Sequence, residues 1–215
     1  MKGIVATTIV LLIAANSVSG QVINGDFEAG ATGFITDYAI GSPGNVPDGT
    51  IAALSDGETI NLTRNKAFPD HTSGAGLALY VNGSTVADQA VWQQTVPVQS
   101  NTQYTFNFFY TNWAFGQFDN DATLTVQVDG VQVGPAGATR SAGIGSWEPF
   151  TVTFNSLDRS TVDVAIVETS LAYSGNDFAI DDITLVPEPS SVTLLCLTSV
   201  FMFRRQHRMA VHVQY

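Results

Sequence analysis

Between Val22 and Val186 apolar and polar residues alternate with a period of two, in runs broken by Gly, Asn, Asp and Pro. That period sends successive side chains to opposite faces of a strand. "TQYTFNFFYTNW" places Tyr104, Phe106, Phe108 and Tyr110 on one face and Thr105, Asn107, Phe109 and Thr111 on the other. "ATLTVQVDGVQV" aligns Leu124, Val126 and Val128, then turns at Asp129-Gly130 into Val131 and Val133. An Asp-Gly pair between alternating runs signals a two-residue hairpin. The alternation returns through Phe150, Val152 and Phe154, through Val162, Val164 and Ile166, and through Phe178, Ile180 and Ile183. "GLALYVNG" and "QAVWQQTVPV" add two earlier runs. No stretch in this region has a helical period, and no internal repeat is visible. The pattern predicts roughly eight to ten strands in an all-β, antiparallel two-sheet sandwich or barrel. Trp92, Tyr104 and Trp147 fall on core positions, and Ile40 to Thr50, rich in Gly, Pro and Asp, reads as a surface loop.

Charge narrows the partners. The chain of 215 residues has a formal net charge of −11, with 19 acidic and 8 basic residues. Lys2, Arg204, Arg205 and Arg208 lie in the tails, so the middle is more acidic than the total suggests. Such a surface repels phosphate backbones and argues against nucleic acid, while leaving room for a hard cation.

The ends are of a different kind. Lys2, the apolar run Ile4 to Ala15 and the small residues of "NSVSG" read as a signal peptide over residues 1–20, cleaved near Ser19 or Gly20. Cys196 is the only cysteine and lies in the C-terminal tail. The exported domain, 21–186, therefore rests on its core, a metal ion, or both, without disulfides.

Three stretches in order, "NGDFEAG" (Asn24 to Gly30), "DHTSGAGLALYV" (Asp70 to Val81) and "FAIDDITL" (Phe178 to Leu185), carry a resemblance. With "SWEPFTVTF" between them, the domain resembles the jelly-roll, galactose-binding-like carbohydrate-binding modules of the family 4/9 type. The resemblance implies a jelly-roll sandwich. It also implies a structural calcium ion held by Glu28, Asp70, a carbonyl near Ser73, and Asp181. Calcium takes six to eight oxygens, and one ion there would clip both ends of the domain. The alternative is that these are solvated acids at strand ends. Asp119-Asn120-Asp121 lacks the Gly and distal Glu of a calcium loop and reads as a polar turn.

Candidate chemistry is sparse. His71 is the only histidine outside the tail, and no Gly-x-Ser-x-Gly elbow occurs. A carboxylate pair for glycoside hydrolysis cannot be selected among so many acids. The expectation is a non-enzyme. A sugar platform is better supported, with aromatic faces for C–H bonds and amides for hydroxyls. "YTNWAFGQFDN" offers Tyr110, Asn112, Trp113, Phe115 and Gln117, and Tyr173 precedes a Gly-Asn turn. For Trp113, core packing and surface binding both stay open.

The tail, "VPEPSSVTLLCLTSVFMFRRQHR", supplies a destination. Its apolar run, 191–203, would rise about 20 Å as a short hydrophobic helix, against roughly 30 Å of hydrocarbon. Pro187-Glu188-Pro189, that run, and the basic cluster 204–208 with Arg204 and Arg205 resemble the PEP-CTERM sorting signal of Gram-negative bacteria. Residues 209–215 form a longer tail than that signal usually has. The resemblance implies transient anchoring in the inner membrane, reading by an exosortase-type membrane protease, and delivery to the cell surface or extracellular matrix. The expected function is a sorted, non-catalytic surface protein that binds or embeds in extracellular polysaccharide. The alternatives are a structural surface protein acting through protein contacts and, third, a hydrolase or esterase.

Overall fold

The computed structural model describes residues 22–61, 65–113, 121–138, 144–170 and 175–188. The expected signal peptide, Phe115, Gln117, Tyr173, Pro189, the apolar run, Arg204 and Arg205 lie outside the described residues.

The alternating stretches form the longer strands of a two-sheet jelly-roll sandwich. Short strands β1 (Ala39–Ile40), β3 (Thr59–Asn61) and β4 (Asn65–Lys66) accompany β2 (Thr50–Ser55), β5 (Leu77–Asn82) and β6 (Gln89–Pro97). Then follow β7 (Gln103–Asn112), β8 (Thr123–Val128), β9 (Val131–Ala138), β10 (Glu148–Asn155), β11 (Thr161–Glu168) and β12 (Phe178–Pro187). No helix occurs among the described residues. One sheet has the order β1-β2-β5-β12-β7-β10, the other β6-β11-β8-β9, and β3-β4 make a small ribbon. Twelve described strands exceed the eight to ten expected, because pairs of two or three residues leave too little alternation to see. The expected antiparallel pairing has one exception, β1 running parallel to β2.

The inward faces are those the alternation picked. Tyr104, Phe106, Phe108, Leu124, Val126, Val152, Val164, Ile166, Phe178 and Ile180 share one core with Trp92. Asp129 and Gly130 both have positive φ, as a type I′ hairpin requires, and Val128 pairs directly with Val131.

Two features bring the first and last described segments together. Asp182 takes a φ of 52° where the β12–β7 register shifts, so Ile180 and Ile183 both point inward despite their odd spacing. Against this bulge, the Ile183 N–H donates to the Gly25 carbonyl at 2.8 Å. A Cβ on Gly25 would lie 2.2 Å from the Ile183 carbonyl oxygen, so only glycine allows this docking. Asn24 bonds the Gly30 and Thr32 carbonyls, and Phe27 inserts into the core.

The Ile40–Thr50 stretch is mostly exposed, as expected of a surface loop, but it plants one apolar side chain inside. Val46 is fully buried and the Asn82 amide donates to its carbonyl at 2.7 Å. Val46 belongs to a second core, with Leu54, Ile60, Ala67, Tyr80 and Trp113, which covers the β2–β5 half of the six-stranded sheet's outer face. The β7–β10 half of that face carries Thr105, Asn107, Phe109, Thr151 and Thr153, each half-buried or exposed.

Candidate functional site

On β7, Phe109 stands between Asp181 of β12 and Pro149 of β10, pointing away from the main core. Over it lies His71, its ring 3.5 Å from the Phe109 ring and 16° from parallel. Trp147 meets His71 edge-on at 6.1 Å, and its indole N–H donates to the Pro69 carbonyl at 3.1 Å. Around the stack are Asn107 and Thr151, hydrogen-bonded to each other at 2.7 Å, and the Thr184 hydroxyl on the Asn107 carbonyl.

The turn from Asp70 to Leu77 that presents His71 is held by four acids. The Asp181 carboxylate accepts the His71 N–H at 2.8 Å and the Thr72 N–H at 3.3 Å. Asp182 accepts the Thr72 hydroxyl at 2.7 Å and lies 2.6 Å from the His71 Nδ1. Asp70 accepts the N–H groups of Ser73 and Gly76, and Glu28 that of Leu77. Gly76 is a close-approach glycine, since a Cβ there would collide with the Glu28 carboxylate at 1.8 Å. Below the turn, the Tyr80 hydroxyl takes the Phe68 N–H and donates to the Phe68 carbonyl.

Burial pushes the Asp181 carboxyl up to about 7 against the pull of its N–H donors. For Asp70 burial also works upward, but the Ser73 and Gly76 N–H groups outweigh it and hold the group below its ordinary value. Asp181 is 0 % exposed and its described partners include no basic side chain. Of the carboxylates gathered round this turn, Asp182 meets the His71 imidazole, while the oxygens of Glu28, Asp70 and Asp181 suit a hard cation in kind. As they lie, the Glu28, Asp70 and Asp181 carboxylates are turned onto backbone N–H donors. Among the described residues no three His, Cys, Asp or Glu side chains stand together as a ligand set.

The aromatics expected to bind sugar are placed differently. Trp113 is 1 % exposed, and its indole N–H donates to the Val81 carbonyl at 3.0 Å. Its ring faces are spent on the second core, so the surface-binding reading of Trp113 is corrected in favour of packing. Tyr110 is half-buried against Phe108 and Phe150, with its hydroxyl on Glu148 at 3.3 Å. Asn112 is half-buried at the end of β7. Trp147, expected in the core, is half-buried at the edge of the second one. What the sequence did not single out is the His71–Phe109–Trp147 group. The available signal was the one histidine outside the tail, next to Asp70, with a phenylalanine on the polar face of a strand.

A second buried polar cluster occupies one end of the sandwich. Glu168 accepts hydrogen bonds from the Tyr38 hydroxyl, from Ser170 and from Asn176, both of the latter at 2.8 Å. Burial raises the Glu168 carboxyl, and burial pushes nearby Asp177 up to about 6.

No known protein family matches the sequence, and no curated protein is similar enough to match it. Solved structures do share the fold. A cyclase from Fischerella sp. TAU, in complex with 4-(1H-indol-3-yl)butan-2-one, is 16 % identical with a TM-score of 0.56, covering 81 % of this chain and 100 % of that one. The N-terminal CBM22-1-CBM22-2 tandem of Paenibacillus barcinonensis Xyn10C is 14 % identical with a TM-score of 0.51, covering 82 % of this chain and 48 % of the tandem. A family 16 carbohydrate-binding module is 18 % identical, with 77 % and 98 % covered and a TM-score of 0.46. Resemblance at this identity speaks to architecture, and function has to be argued from the site.

Proposed function

We propose that this chain is an exported, non-catalytic β-sandwich that binds extracellular polysaccharide on the outer face carrying His71, Phe109 and Trp147. The observation that carries the reading is the His71–Phe109 stack beside the Asn107–Thr151 pair. A flat ring with amide and hydroxyl groups next to it matches both surfaces of a sugar, its C–H face and its hydroxyl rim. The ring is pinned by Asp182 and rests on a sheet, so ordering it on binding costs little entropy. The jelly-roll architecture shared with carbohydrate-binding modules is consistent with this use.

Destination belongs to the same proposal. The signal peptide and the Pro187-Glu188-Pro189 tail support export, transient inner-membrane anchoring and exosortase-type processing to the cell surface or matrix. A structural calcium ion at the Asp70–Leu77 turn, held by Glu28, Asp70, Asp181 and the Ser73 carbonyl, also stands as a proposal.

A second reading, self-association without sugar, has one observation behind it. Ile23 and Ile35 are 64 % and 66 % exposed, and both lie beside β6 through bonds to Gln94 and Gln93. A glycan array probed with residues 21–188, including exopolysaccharide from the source cell, separates the two. Sugar-dependent retention supports the first reading. Assembly indifferent to sugar, with no glycan retained, supports the second.

A further inference from the structure

The last strand carries part of the sorting motif inside the sheet. Pro187 stands opposite Tyr104 on β7, and Val186 opposite Thr105. One residue on, the Glu188 N–H donates to the Gln103 carbonyl at 2.8 Å, and the Thr105 hydroxyl bonds the Glu188 carboxylate. Hydrogen-bonded and non-bonded pairs alternate along an antiparallel ladder. The Glu188–Gln103 bond therefore puts Pro187 at a non-bonded position. There the missing N–H leaves no gap, which is why a proline can end this strand without breaking it.

Two of the three motif residues thus belong to the folded domain. A reader of extended peptide needs the backbone edge or the side chains of its target. At Glu188 one backbone edge is taken by β7, and the carboxylate is taken by Thr105.

Resting on the sorting reading above, we infer that the folded sandwich covers its own sorting motif. A membrane protease that reads Pro187-Glu188-Pro189 then acts after the last rung of β12 has left β7. Little has to open. The β12–β7 pairs from Thr184 to Val186 and the Ile183–Gly25 bond remain in place while Glu188 swings free. Strand ends open locally far more often than the domain unfolds. Each hydrogen bond that holds the closed form shifts the opening equilibrium by roughly fivefold. Processing is therefore slower for the folded chain than for one with a free motif, and the domain itself sets the delay.

The test follows loss of the basic C-terminus by pulse labelling and mass analysis. It uses the full chain in a cell that carries an exosortase-type protease. A six-residue Gly/Ser insertion between Val186 and Pro187 lifts the motif off the sheet while keeping motif and apolar run together. Thr105→Val removes one of the two bonds. The inference predicts processing about tenfold or more faster for the insertion and roughly fivefold faster for Thr105→Val. The detergent-solubilised chains should melt within a few degrees of the wild type, the drop expected from one or two lost hydrogen bonds, showing that neither change acts by unfolding the domain. Wild-type processing that the insertion does not accelerate overturns the inference alone. A wild-type chain that keeps its tail, or an inserted chain still cut after Pro189→Ala, overturns the sorting reading on which it rests.

Discussion

His71 lies flat on Phe109, ring centroids 3.5 Å apart, and Asp182 holds the His71 Nδ1 at 2.6 Å. The side chains of His71 and Asp182 are 30 % and 25 % exposed, so the pair sits at the surface with one ring face supported from below. Phe109 is paired on both sides, with Pro149 of β10 and Asp181 of β12, which makes the support rigid. A ring fixed in this way resembles a binding platform more than a core residue that failed to be covered.

Trp113 and His71 separate packing from binding. Trp113→Ala empties a fully enclosed volume and should cost about 3–5 kcal/mol of stability. His71→Ala removes a surface ring and one hydrogen bond and should cost about 1 kcal/mol or less. Urea unfolding of both variants checks the contrast. Equal losses would place His71 in the core and remove it from the candidate site.

Stability should also fall as pH rises through the mildly acidic range. Burial pushes Asp177 up to about 6 from an ordinary value of 3.8, so the folded chain keeps this proton longer than the unfolded one. The contribution is whole below 3.8 and is lost as pH climbs toward 6, because the unfolded chain releases its proton first. Asp177→Asn keeps an acceptor for the Gly83 N–H and removes the titration. Relative to this variant, the wild type should lose on the order of 2 kcal/mol between pH 4 and pH 7. Urea midpoints across that range report it, and parallel profiles would contradict it.

Calcium added to chelator-treated protein should raise the melting temperature by several degrees, since a ligand bound only to the folded state stabilises it by mass action. Asp181→Asn should abolish the rise. An unchanged melt with calcium would leave the Asp70–Leu77 turn held by its N–H donors alone.

The parts of the fold legible in the sequence are those that alternation governs. Phe106, Phe108, Val126, Val164 and Ile180 could be assigned to one core because each lies in a strand long enough to show its period. Asp129-Gly130 announced its turn through the only chemistry that a two-residue hairpin tolerates easily. The second core was hidden, because Val46, Ile60, Ala67 and Trp113 come from loops and short strands with no period to read. For that reason Trp113 stayed ambiguous until Val81 and Tyr80 were seen to enclose it. The platform was hidden for a related reason. Phe109 occupies the polar face of β7, and only the return of the Asp70–Leu77 turn over the sheet brings His71 onto it.

Affinity electrophoresis of residues 21–188 through gels containing the source cell's exopolysaccharide tests the central claim most directly. The wild type should be retarded, while His71→Ala and Trp147→Ala should migrate at least about tenfold closer to the sugar-free position, a loss of about 1.4 kcal/mol or more. Retardation of both variants equal to that of the wild type, with their folds intact, would contradict binding on this face.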